Sequence, residues 1–217
     1  MNNSLSDDIA AMKPVLETLP TDWEGKASIL EMQAADDNWR QMEWWGFYFE
    51  LLCRRALNGI CTIPGDRFGS IVFDMKRTVN WDLKASAIKS DSHRAILNDK
   101  TAMELSIQQY GEHGAIIALC DVEYNDTDRT FQRWHTELKG GLSKYENERI
   151  VRTSISRYRK TRATLAEMLF VRFDGTNSMH LGTMRQGRNS NGAPRPEKYM
   201  LNLESLEPFY VDRIVFR

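Results

Sequence analysis

Within the stretch FDMKRTVNWDLKAS, residues 73–86, stand three side chains of the types that handle phosphate esters: Asp74, Asp82 and Lys84. Asp82 and Lys84 are two apart, so on an extended strand both project from one face while Leu83 turns to the other. A turn at Lys76-Arg77-Thr78 would fold Asp74 back towards Asp82. Two carboxylates brought together repel each other unless a cation neutralises them. An oxygen-only donor set of this kind suits Mg2+, with Mn2+ as a substitute, because Mg2+ takes one or two carboxylates and fills its remaining positions with water and phosphate. A lysine beside such an ion can hold or deprotonate an attacking water and offset charge building on a phosphate. A lone acid-x-Lys triplet has little weight, and the chain has a second one, Glu137-Leu138-Lys139. Its surroundings, FQRWHTELKGG, read as a helix end closed by glycines, so the strand triplet is the candidate centre.

Elements must position these groups. Residues 7–35 read as two short amphipathic segments broken at Pro14, Pro20 and Gly25, a helical extension spanning 1–35. Asp36 and Asp37 offer cap oxygens for a helix through Trp39, Trp44, Phe47, Leu51, Leu52 and Leu57, closed by Asn58-Gly59. Short apolar segments at Ile60–Ile63, Ser70–Met75 and Val79–Ile88 read as strands. A helix from about Asp99 to Tyr110 follows, with Met103, Leu105, Ile107 and Tyr110 as core contacts. The run AIIALCDV, 115–122, reads as a strand covered on both faces. A helix near Thr130–Lys139, a basic segment at 149–162, a strand at Met168–Phe173 and a polar loop at 174–197 complete the chain. The expected fold class is α/β (α+β): a mixed central sheet flanked by helices, in a single domain overall whose main part spans 36–217.

The order helix, three strands, helix, strand, with Asp74 opening the hairpin and Asp82-Leu83-Lys84 on its second arm, resembles the PD-(D/E)xK nuclease superfamily. Within it, the helix WWGFYFELL with Glu50 followed by an acid and an acid-Leu-Lys triplet is similar to the mismatch-repair nicking enzyme MutH and the type II restriction endonucleases grouped with it. The resemblance covers roughly residues 40–122. Phe73 stands where a proline often precedes the first acid, and Asp82 where Glu is commoner. The likeness implies Mg2+-dependent hydrolysis of DNA phosphodiesters, leaving 5′-phosphate and 3′-hydroxyl ends. Asp74, Asp82, the Leu83 backbone carbonyl and Glu50 would hold metal, with Lys84 beside them. It also implies a homodimer on a short twofold site.

The charge distribution suits that partner. The net charge is only −1, yet residues 1–37 carry eight acids and two bases, while residues 149–198 carry eleven bases and three acids. In the first basic region Arg152, Arg157, Arg159, Lys160 and Arg162 are candidate phosphate contacts. The second, HLGTMRQGRNSNGAPRPEKYM, is too polar for core. Its Arg185, Gln186, Arg188, Asn189 and Arg195 include the planar forks that match base edges in double-stranded DNA. Cys53, Cys61 and Cys120 make no zinc-type spacing and read as reduced core filler. No apolar run approaches the ~20 residues that span a bilayer, and the polar start MNNSLSDDIA does not read as a signal peptide; the expectation is a cytoplasmic protein without a membrane partner.

Overall fold

The computed structural model describes residues 4–64, 73–88, 93–142, 146–148, 159–188 and 192–216. Its helices are α1 (Ser4–Leu16), α2 (Gly25–Ala34), α3 (Trp44–Ala56), α4 (Lys100–Tyr110) and α5 (Thr130–Leu138). Its strands are β1 (Asp22–Glu24), β2 (Met75–Lys76), β3 (Asn80–Ala87), β4 (Arg94–Asp99), β5 (Glu112–Glu123), β6 (Arg162–Asp174), β7 (Gly182–Met184), β8 (Lys198–Asn202) and β9 (Tyr210–Val215). The main sheet runs β1-β6-β5-β3-β2, with β9 also on β6; a smaller sheet runs β4-β8-β7. Among the described strands only β3 and β5 pair in parallel, through the crossover that contains α4. The chain is therefore mixed α/β, a mixed sheet with helices against it.

The alternation within β5 shows why its apolar run is continuous. Ile116, Ala118 and Cys120 face a first core with Leu83, Met168 and Phe170, into which α1, α2 and α3 also pack. Ala115 and Ile117 face a second core with Met103 of α4, Ala95 and Leu97 of β4, and Tyr199 and Leu201 of β8. Both faces of the strand are covered, as the sequence predicts. All three cysteines are free and buried.

Several elements differ from expectation. Within the N-terminal extension, Leu5, Ile9, Met12, Leu16, Ile29 and Met32 lie in the first core, and the short strand β1, not expected there, pairs with β6. Pro14 sits inside α1 instead of ending it. It falls in the last turn, where it forfeits the bond its N–H would have given the Ala10 carbonyl, and buried Met12 and Leu16 on either side hold that turn against the loss. Asp36 and Asp37 do not cap α3, which begins at Trp44 after Glu43. Asp36 adopts a left-handed φ of 52°, and the Asp37 carboxylate accepts the Asn38 N–H at 2.7 Å and pairs with Arg54. The expected strand at 60–63 is reduced to a bridge between Thr62 and Lys76. Of the expected strand at 70–75, residues 70–72 lie outside the described residues. β4, β8 and β9 were not anticipated. In α4, Met103 is buried but Leu105 is exposed.

Candidate active site

The β2–β3 hairpin is fixed from outside itself. Asp8 of α1, fully buried, places its carboxylate under the turn and accepts the Thr78 N–H (3.0 Å), the Val79 N–H (3.2 Å), the Trp81 indole N–H (3.0 Å) and an Arg77 guanidinium N–H (3.0 Å). Burial alone would raise its pKa; the bonds from Trp81, Thr78, Val79 and Arg77 outweigh that and hold it below the ordinary carboxylate value. Gly114 on β5 leaves the room the Trp81 indole needs, since a Cβ there would lie 2.4 Å from the ring. The turn is thus pinned on one side and packed on the other.

With the turn held, Asp74 meets β3 at the sheet edge where β2 has just begun. Its N–H donates to the Trp81 carbonyl at 3.0 Å, and its Oδ2 accepts the Leu83 N–H at 2.7 Å. The side chain thus takes the acceptor position that a longer neighbouring strand would fill. The same oxygen pairs with Lys84 Nζ at 3.3 Å, and that ammonium also donates to the Leu83 carbonyl at 2.9 Å. Burial works against the charge on Lys84, but Asp74, Asp82 and Glu50 together raise its pKa well above the ordinary lysine value. Lys84 stays an ammonium ion here.

Glu50 of α3 belongs to the same field. Burial first, then the negative charge of Asp74, raise its pKa to about 8, against the opposing pull of Lys84 and Arg54. A carboxyl group kept protonated near neutrality beside another acid and a lysine is an unusual use of a helix glutamate.

Asp82 projects from the same face of β3 as Lys84, but its oxygens are committed elsewhere. Asn98 of β4 donates to Oδ1 at 3.1 Å, and His113 Nε2 meets Oδ2 at 3.1 Å. His113 Nδ1 lies 3.0 Å from the Ser106 hydroxyl, which also accepts from the Asn80 amide at 3.0 Å. The chain runs from Asn80 to Ser106, to His113, to Asp82, and every member is buried. Burial raises the pKa of Asp82; Lys84, His113 and Asn98 overcome this and lower it, so Asp82 is ionised.

The structure therefore brings Asp74 and Lys84 into contact, sets Glu50 and Asp82 within electrostatic reach of Lys84, and directs Asp82 towards His113 and Asn98. It does not show the expected pair of carboxylates meeting at one point. Among the described residues, no group of three or more His, Cys, Asp or Glu side chains is placed to hold a metal ion. The Leu83 carbonyl, expected at the ion, accepts the lysine instead. Sequence reasoning missed Asp8, Asn98, Ser106 and His113, whose partners are distant in the chain. The rival triplet Glu137-Leu138-Lys139 closes α5 before Gly140 and Gly141, both at positive φ.

Of the candidate DNA contacts, Arg152, Arg157 and Asn189 lie outside the described residues. Arg159 is not on the surface: only 3% of it is exposed, it pairs with Glu146 at 3.2 Å, and its Nε and Nη1 find no partner among the described residues. Lys160 pairs with Glu43 and lies over the Trp45 ring, and Arg162 pairs with Asp22. Arg185, Arg188 and Arg195 are exposed, and Gln186 is half-buried.

Compared with known proteins, the chain matches no family model, no curated sequence and no solved structure.

Proposed function

We propose that this chain is a Mg2+-dependent DNA endonuclease of the type II restriction class, acting as a homodimer. The observation that supports it best is a charged Lys84 on β3 held between Asp74 and the Leu83 carbonyl, with Asp82 two residues back on the same face. In kind, the donors suit a hard cation: Asp74 and Glu50 offer oxygen at the strand edge. Their present arrangement does not amount to a finished metal site, so no step is derived through the ion. Mg2+, when bound, supplies an activated water and relieves repulsion between acids. The chain's own residues account for the rest. Asp74 orients the Lys84 ammonium, which stands ready to offset charge on a phosphate. Asp82 adds negative potential that keeps Lys84 protonated, and half-buried Asn98 and buried His113 fix where that potential lies.

Incubating purified protein with plasmid DNA should give discrete fragments with 5′-phosphate ends in Mg2+ and none in chelator. Lys84→Ala should lose cleavage by at least about a hundredfold while still binding duplex DNA. Full activity of that variant would remove the assignment.

A second reading has its own observation. Both oxygens of Asp82 and one of Asp74 already make the bonds that hold β3 together, as they would in a DNA-binding protein without catalysis. Duplex binding that is unaffected by Mg2+, with no cleavage of any DNA, would favour it. Cleavage confined to mismatched or branched substrates would favour a repair or junction-resolving nuclease instead.

A further inference from the structure

The loop at 174–197, read from sequence as irregular, contains a two-stranded ribbon. β7 and β8 pair Gly182 with Met200, Thr183 with Tyr199 and Met184 with Lys198. Farther out, Arg188 bridges Pro194 in that same register, the Arg195 N–H donates to the Gly187 carbonyl at 3.1 Å, and Arg185 pairs with Glu197 at 3.2 Å. One antiparallel register therefore runs from 182/200 to 188/194, about 20 Å at the usual rise per residue. Pro194 and Pro196 remove N–H donors from the outer arm, which interrupts the regular ladder and blunts the ribbon against pairing with other chains.

An isolated two-stranded ribbon is marginal in water, and this one is anchored at its base. β8 pairs with β4, Tyr199 donates to Glu104 at 2.9 Å, the Lys100 N–H donates to the Glu197 carbonyl at 2.8 Å, and buried Tyr199 and Leu201 enter the second core. Directly opposed residues share a face. Met184, Gln186, Arg188 and Lys198 therefore lie on one side, while Arg185, Glu197 and Arg195 lie on the other. The first side carries positive charge and an amide with no acid among these positions. On the second side Arg185 is already matched by Glu197.

We infer that this ribbon enters the major groove of duplex DNA with the Gln186–Arg188 face turned to the bases. The inference rests on the DNA reading above and deepens it by naming the element and the face. The groove admits a two-stranded ribbon, and the forks match its code: Arg188 to the O6 and N7 of guanine, Gln186 to adenine. Lys198, nearer the body, pairs with Asp99 at 3.8 Å, so on approach to the DNA backbone it would exchange that carboxylate for a phosphate.

The test starts by selecting from randomised duplexes with the full chain in Ca2+, then measuring anisotropy on the enriched duplex and on a random one. Arg188→Ala should lose about tenfold or more on the enriched duplex and far less on the random one, with an unchanged melting temperature. Arg185→Ala, on the opposite face, should stay within about threefold. Replacing guanine by 7-deazaguanine should weaken the wild-type chain and leave Arg188→Ala unaffected. Equal losses for the two arginine variants, insensitivity to 7-deazaguanine, or enrichment of RNA alone would overturn the inference. Selective duplex binding without cleavage in Mg2+ would leave the ribbon standing and sink the nuclease reading. Unchanged fragments and rates from Arg188→Ala would do the reverse.

Discussion

The β2–β3 hairpin and the β7–β8 ribbon are both antiparallel pairs rich in charge, yet their charges are used in opposite ways. Around the hairpin, buried Asp8 of α1, buried Asp82 and half-buried Lys84 are surrounded by partners, away from water, where an unmatched charge is expensive. In the ribbon, Arg185 has a side chain 91% exposed and a partner that is itself partly in water, so the pair contributes little to the fold. The difference teaches where a substitution will register. A change in the hairpin acts first on stability, whereas one in the ribbon leaves the fold alone and acts only on whatever the ribbon touches.

The sharpest way to break this contrast is Asp8→Ala. It leaves the N–H groups of Thr78, Val79 and Trp81 without their acceptor, and should cost about 3–5 kcal/mol by urea unfolding at neutral pH. A loss below about 1 kcal/mol would mean that the turn holds itself and that α1 is incidental to the site. The pH dependence gives the sign independently. Because the folded pKa of Asp8 is lowered from 3.8, its contribution is present above the unfolded value and lost as pH falls through the folded one. The gap between wild type and variant should therefore close in acid.

Glu50→Gln sharpens the comparison in the other direction. With a folded pKa of about 8 against 4.5, the folded chain keeps a proton across that window which the unfolded chain has lost. Stability then declines as pH rises through the window. The variant cannot ionise, so it should melt about 3 °C or more above wild type near pH 9, and the two should converge in acid below the unfolded value. A variant that melts lower across the whole range would show that Glu50 is an ionised structural partner. The smallest effect is expected in the ribbon: Arg185→Ala should change unfolding free energy by less than about 0.5 kcal/mol. A larger loss would show that the ribbon is held by its outer pairs instead of by its base.

What sequence alone could show follows the range of the interactions. The strand bearing Asp82-Leu83-Lys84, the helix that became α4 and the doubly covered β5 announce themselves through local periodicity. The position of Asp74 against β3 followed from a turn only three residues long. Asp8 gave no such sign, because its partners lie some seventy residues away and its neighbours suggested no more than an acidic tail. His113 was equally silent: a single imidazole between Gly111 and Gly114 acquires meaning only when α4 brings Ser106 beneath it. β4 was passed over because its inward residues, Ala95 and Leu97, are too few to mark an alternation. The ribbon's outer half was hidden by the two prolines that interrupt its ladder.

One strand joins the two regions compared above. β4 donates its backbone to the sheet that roots the ribbon, and through Asn98 its side chains reach the carboxylate of Asp82. The base of the ribbon and Asp82 are thus joined through a single six-residue strand. Exchanging the ribbon for one from another protein would succeed only with a graft that keeps β4 in register. A slip of one residue would turn Ala95 and Leu97 out of the core and withdraw Asn98 from the aspartate in the same motion, leaving it to His113 alone.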